Sequence, residues 1–410
     1  MVRELERKRQ SAKFPETAPA ANPVFFRTYS RRTKAGLRET WDEVCDRTLL
    51  GLVELGKLTQ EEAAILDKMQ RNLKAMPSGR WLWVGGTDWI TKPKNFSGAY
   101  NCTSTNLEDW SAFGLMMDLA MMGCGTGAVL EPQFINQLPP IRNQLNVTVQ
   151  GEIGSTPVQQ RREYTQTHIE GNNVTIHVGD SREGWVESYQ ALLELSTDEQ
   201  FSAEVEVLVD ISDVRKAGET LNGFGGVANP VKLPGLYQRC ASILNKAIGR
   251  QLSSVECCLL IDQAAVTIVA GNIRRSAGMR QFIADDEQGA TAKDNLWQQD
   301  ENGNWRIDPE RDALRMANHT RVFHRKPTLE ECLNAVRKQY YSGEGAIQWA
   351  GEAVARSNID LLPTQALKVE FLQAYEQGTA KQWLEERYSN LDANELEHRL
   401  ARYGLNPCGK

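Results

Sequence analysis

The sequence has no run approaching the ~18 apolar residues that a membrane-spanning helix needs. Its start, MVRELERKRQSAKFPETAPAANP, is basic and then Pro- and Ala-rich, without the apolar core of a secretory signal. These two absences read as a protein of the cytoplasm that does not engage the membrane. Strong charge of one sign is also missing: a formal net charge of −6 leaves no electropositive footprint for nucleic acid. None of the eight cysteines forms a C-x-x-C, which excludes a zinc ribbon and a thioredoxin-type dithiol. In a reducing compartment they should be mostly reduced, and the default role of each is a small buried hydrophobe. The five histidines, His168, His177, His319, His324 and His398, make no H-E-x-x-H and stand near no carboxylates of ligand spacing. No protein-bound catalytic metal is therefore expected, and HTRVFH reads as structural. There is no G-x-x-x-x-G-K-[ST], and NGFGGVANP (222–230) reads as a turn between a strand and a helix, not as a dinucleotide site. No internal repeat is present.

What remains has the composition of a soluble globular protein, and its length suggests two to three domains, or one large domain with an insertion. Residues 1–23 read as disordered and 24–96 as a helical region. Within it, 38–75 carries two helices, the second opened by the capping box Thr59/Glu62. SGRWLWVGGTDW then reads as a turn region. Residues 97–130 combine a β-prone run, SGAYNCTST, a helix apolar nearly all round, DWSAFGLMMDLAMMG, and a short strand in CGTGAVLEP. Strand–helix–strand order is the mark of an α/β domain. Over 131–215 the pattern changes: LNVTVQGEI, NVTIHVGD and AEVEVLVDIS alternate with period two around one helix near 183–196. Helices are expected at about 231–248 and 253–270, the latter with a second capping box, Ser253/Glu256. Farther on come a turn at DENGN, a helix near 328–341, a strand at GAIQW and a charged helical stretch over 364–403 that stops at Gly404.

Three stretches carry chemistry. GNIRRSAG (271–278) places Arg274 and Arg275 between glycines. That suits a loop contacting a phosphate or base, but the residues alone favour the plainer reading, a helix C-terminus whose basic residues answer the dipole. Cys102 lies at the end of the β-prone run in YNCTSTN, and Cys408 lies in LNPCGK, a loop by its Gly404, Pro407 and Gly409. A strand-end cysteine and a loop-tip cysteine can meet in the middle of a barrel, an arrangement suited to redox or radical chemistry.

Taken together, NCTSTNLEDWSAFGLMMDLAMMGCGTGAVLEP, AGNIRRSAGM and NPCG resemble the large catalytic subunit of the ribonucleotide reductases. The resemblance is closest to the adenosylcobalamin-dependent, class II ribonucleoside-triphosphate reductases, and it covers about residues 23–362 and 404–409. It implies an α/β fold: the N-terminal part of a ten-stranded barrel, about one half-barrel over 97–362 with an effector-site insertion near 131–215. Residues 363–410 are then a helical segment and a truncated finger loop. By the same resemblance Cys408 is the thiyl-radical residue, Cys102 one member of the reducing cysteine pair and Asn406 a hydrogen-bond partner of the substrate ribose. Arg274, Arg275 and Asp109 fall at the effector site. The implied cofactor is adenosylcobalamin, with a dNTP or ATP as allosteric effector. The implied partners are a ribonucleoside triphosphate and thioredoxin, and the whole enzyme is a monomer. No D-x-H-x-x-G cobalamin signature occurs, and the family does not require one.

Two features depart from the family. Lys410 stands where a glutamate general base is expected, and the second cysteine of the reducing pair is absent. The chain is thus expected to be an N-terminal part, inactive and poorly soluble alone, from a truncated or an interrupted reading frame. Two rival readings stay open: a non-catalytic nucleotide-binding relic, and a class I large subunit served by an external radical generator.

Overall fold

The computed structural model describes residues 14, 18–33, 36–219, 228–268 and 277–407. The chain separates into two compact units, one of residues 1–101 with 221–225, the other of 102–220 with 226–410.

In the first unit the two expected helices are Trp41–Gly56 and Gln60–Arg71. Capping boxes open both: the Thr40 and Thr59 hydroxyls accept from the Glu43 and Glu62 amides, and those glutamates return to the cap backbone. Phe25, Trp41, Val44, Cys45 and Leu82 make a small core. SGRWLWVGGTDW departs from the turn expectation, because Gly79–Val84 is helical. Ser78 caps that helix through the Trp81 amide, and one helical turn is what lets Trp81, Leu82 and Val84 all be buried.

The second unit holds eleven strands among the described residues. They are β1 Cys102–Asn106, β2 Gly125–Val129, β3 Gln144–Gln150, β4 Gln166–Glu170, β5 Asn173–His177, β6 Glu204–Asp210, β7 Gly278–Ile283, β8 Trp297–Gln299, β9 Trp305–Ile307, β10 Ala317–Phe323 and β11 Ala346–Trp349. An all-parallel sheet runs β1-β2-β7-β10-β11. The insertion forms its own sheet, β3-β6-β5-β4, parallel except for the β4–β5 pair. The turn expected at DENGN closes the hairpin β8–β9, with Asp300 accepting from the Asn302 and Asn304 amides. The second predicted capping box also forms, Ser253 and Glu256 each bonding the other's backbone N–H at the head of the helix Ser254–Ile268.

One face of the parallel sheet is apolar core. Ala128 and Phe282 pack with Phe113 and Met116 of the helix Trp110–Met121 and with Leu260 of Ser254–Ile268. On the other face Val129 and Val322 join Phe371, Leu384, Leu396 and Tyr403. These come from the C-terminal stretch, which forms the helices Gln365–Glu376, Ala380–Arg387 and Ala393–Leu400. No helix among the described residues is long and apolar enough to cross a membrane.

At the insertion Arg161 joins Asp180 and Glu219, at 3.3 and 2.8 Å. Hydrogen bonds from Arg161 first, then from the Lys216 amide, hold the Glu219 carboxyl down to about 2 against an ordinary 4.5. A depressed carboxyl contributes stability above its unfolded value and loses it as pH falls through the folded one. Melting temperature against pH should therefore fall less steeply between about pH 4.5 and 2 in Glu219→Gln than in the parent. Parallel curves would show that this pair does not contribute.

Candidate active site

Parallel pairing sets Cys102 beside Gly125, Ser104 beside Gly127 and Asn106 beside Val129. Because side chains alternate along a strand, these positions share one face of the sheet. The segment 403–407 lies on that face, antiparallel to β1 and β2. Gly404 sits against Ser104 and Val129, the Leu405 carbonyl over Gly127, and the Pro407 ring over Gly125. The approach tolerates no side chain. A Cβ on Gly127 would stand 1.9 Å from the Leu405 carbonyl oxygen, and one on Gly404 would stand 2.2 Å from Ser104 Oγ. Glycine here serves close packing of backbone on backbone.

Two glutamines fix the segment. Gln281 of β7 accepts the Leu405 N–H at 2.6 Å, and Gln348 of β11 donates to the Tyr403 carbonyl at 2.6 Å. Gln281 Nε2 in turn donates to Gln348 Oε1 at 2.5 Å. Both are buried, so each amide is oriented by the other and the main chain is held on both sides of Gly404. Beyond the C-terminal end of β2, Glu131 Oε2 accepts from the Tyr403 hydroxyl at 2.8 Å and lies 2.7 Å from His324 Nε2. Burial first, and the Glu131 charge second, push the Tyr403 phenol far up, so it stays a donor. The arrangement chemically achieves one thing: it fixes the main chain of Tyr403–Pro407 against the sheet face.

The predicted site residues fall as follows. Cys102 heads β1, where the sequence pattern had it closing a strand; it is half-buried and disulfide-bonded, and a Cβ on Gly125 would stand 2.9 Å from its Sγ. Asn406 lies half-buried within the clamped segment. Asp109 is exposed and caps the helix Trp110–Met121, accepting from the Ala112 amide at 2.8 Å and the Ser111 hydroxyl at 2.6 Å. Cys408, Arg274 and Arg275 lie outside the described residues. Sequence reasoning missed Gln281, Gln348, Glu131, His324 and Tyr403. The available signal was a glutamine inside each of the short apolar runs MRQFIA and AIQW, a polar group that must find a partner once buried.

The α/β fold, with its helical segments and strand-rich insertion, resembles the barrel region of class II ribonucleotide reductase. Residues 148–242 match the family described as B12-dependent ribonucleotide reductase, insertion domain. The chain is 27% identical over 308 residues to the adenosylcobalamin-dependent ribonucleoside-triphosphate reductase of Lactobacillus helveticus (strain DPC 4571), covering 64% of this chain and 41% of that protein. It is 29% identical over 320 residues to the enzyme of the same name from Lacticaseibacillus paracasei, covering 66% and 42%. A crystal structure titled B-12 dependent (class II) ribonucleotide reductase shares the fold, with a TM-score of 0.61 at 21% identity over 77% of this chain and 47% of that one. These likenesses in sequence and fold point to the adenosylcobalamin-dependent, class II ribonucleotide reductases. It spans about two-fifths of the length of the curated relatives it matches.

Proposed function

We propose that this chain supplies the first half-barrel (97–362) and the finger loop of an enzyme that reduces ribonucleoside triphosphates to 2′-deoxyribonucleoside triphosphates for DNA synthesis. The observation that carries the reading is the segment Tyr403–Pro407, clamped by Gln281 and Gln348 along the face that begins with Cys102. Cys408 follows Pro407 directly in sequence and is assigned the thiyl radical that takes the 3′-hydrogen of the substrate. Cys102 is assigned to the pair that supplies two electrons as C2′ loses water. Asn406 holds the ribose. Arg274, Arg275 and Asp109 belong to the effector site, where a dNTP or ATP binds. Thioredoxin re-reduces the enzyme, which works as a monomer in the cytoplasm.

The relatives are named for adenosylcobalamin, which when bound supplies the initiating radical. Two cavities among the described residues measure about 410 and 250 Å³, and residues 403–407 line neither. The contribution of the described residues is to hold the loop's main chain in place, so that a radical on the loop is directed at substrate.

The test combines this chain with the C-terminal part of the Lacticaseibacillus paracasei relative, a ribonucleoside triphosphate and reduced thioredoxin. Deoxynucleotide should form only with adenosylcobalamin and not with Cys408→Ser. Nucleotide binding without reduction would favour a non-catalytic relic. Reduction that ignores the cobalamin and needs a separate metalloprotein would favour a class I subunit.

A further inference from the structure

The helix Ser254–Ile268 turns Cys258 and Asp262, one turn apart, toward His319 of β10, on the sheet face opposite the clamped loop. Cys258 and Asp262 are fully buried, and His319 nearly so at 7% exposure. Cys258 Sγ lies 3.3 Å from Asp262 Oδ2 and 3.7 Å from His319 Nε2, and the three donor atoms all fall within 4.8 Å of one another. A tetrahedral zinc ion, with bonds of ~2.3 Å to sulfur and ~2.0–2.1 Å to nitrogen or oxygen, spaces its donors by about 3.3–3.6 Å. The two measured separations bracket that spacing.

The surroundings are those of a metal site too. Asp262 Oδ1 is taken by Arg280, through Nε at 3.1 Å and Nη2 at 2.7 Å, which leaves Oδ2 for the cluster. The His319 ring is also bonded to the backbone of Gly289, which orients Nε2 inward. Arg280 has further partners in the Thr126 and Met279 carbonyls, so its charge stays solvated when Asp262 is shared. His319 also lines a cavity of about 250 Å³, whereas Cys258 and Asp262 do not reach it.

We propose that Cys258, Asp262 and His319 form a binding site for zinc or a similar borderline-soft divalent cation, which pins the helix Ser254–Ile268 to β10. A thiolate, an imidazole and a carboxylate are the donor set that selects such an ion over calcium or magnesium. The proposal is independent of the reductase reading. The competing account is a metal-free hydrogen-bonded chain, Arg280–Asp262–Cys258–His319.

The chain, reduced and freed of metal with a chelator, is titrated with cobalt(II) and then with zinc. One equivalent should bind, with a sulfur-to-cobalt charge-transfer absorption and the intense visible bands of a tetrahedral centre, both displaced by zinc. Cys258→Ala should abolish the charge-transfer absorption. His319→Gln should weaken binding by more than the roughly 10–100-fold that loss of a supporting partner costs. Cys332→Ala, at a thiol outside the cluster, should change neither. Should Cys258→Ala fail to fold, the parent titration decides alone. A parent chain that melts cooperatively yet gives no charge-transfer band, or a band that survives Cys258→Ala, overturns the proposal in favour of the metal-free chain.

Discussion

Gly127→Val should expel the segment Gly404–Pro407 from the sheet. The new Cβ would occupy the position of the Leu405 carbonyl, 1.9 Å away, and that oxygen belongs to main chain that Gln281 and Gln348 hold from both sides. Neither neighbour can yield as the tip of a flexible side chain could. Overpacking of this kind costs about 1–3 kcal/mol. A 1.9 Å approach to main chain held on both sides lies beyond such adjustment, so the segment detaches and leaves two buried glutamine amides short of partners, at about 1–3 kcal/mol each. Limited trypsin digestion reads the outcome, because Arg399 and Arg402 lie just before the segment. Cleavage there should be much faster in the variant, and the melting temperature lower. Gly235→Ala is the control: nothing lies within 4 Å of its added Cβ, and it sits in the helix Leu233–Asn245. It should leave both readouts unchanged or gain slightly in stability, by roughly 0.5–1 kcal/mol. A Gly127→Val protein with parental digestion and melting would show that the loop does not rest on β2. In the reductase reading the same variant should also lose deoxynucleotide formation, since the loop then no longer presents Cys408.

The second large effect concerns the pair Arg280–Asp262, both side chains at 0% exposure and 2.7 Å apart. Arg280→Met should cost about 3–5 kcal/mol, because it leaves a carboxylate buried without a counter-charge. Burial already pushes the Asp262 carboxyl upward, with the Arg280 charge and hydrogen bonds opposing that shift. Without Arg280 the acid should take up a proton or the site should open. The double variant Arg280→Met/Asp262→Leu should be clearly more stable than the single one, since no charge is stranded. Its remaining deficit reflects the Thr126 and Met279 carbonyls that Arg280 served. Urea denaturation of the parent, both single variants and the double variant gives the coupling energy directly. Additive single effects, with no coupling, would show that the two charges do not depend on each other.

The same residues explain how far the sequence could be read. Local signals carried well. Thr59/Glu62 and Ser253/Glu256 form their capping boxes because a cap involves only residues three apart. The apolar DWSAFGLMMDLAMMG became a buried helix, and the alternating runs of 131–215 became β3, β5 and β6. Asp109 was singled out through its resemblance to an effector position, yet it caps the helix that starts one residue later, a role its own neighbourhood also signals. The strand β4, QTHIE, left no trace, because an edge strand exposed along its whole length has no inward face to pattern.

β7 and β10 were hidden for the opposite reason. A strand buried on both faces should read as an apolar run. GMRQFI and ANHTRVF instead hold Arg280, Gln281, His319 and Thr320, all buried. Arg280 is matched by Asp262, 18 residues away in sequence, and by Thr126, 154 away. Gln281 meets Gln348 at a separation of 67 and Leu405 at 124. By itself the sequence determined the caps, the amphipathic and alternating elements, the DENGN turn and, through its ordered motifs, the resemblance to the ribonucleotide reductases. Only the tertiary structure decided which polar residues could lie inside a strand and where the loop before Cys408 comes to rest. Burial of a polar side chain is tolerable only with a partner, and here chain folding brings the partners from far along the sequence.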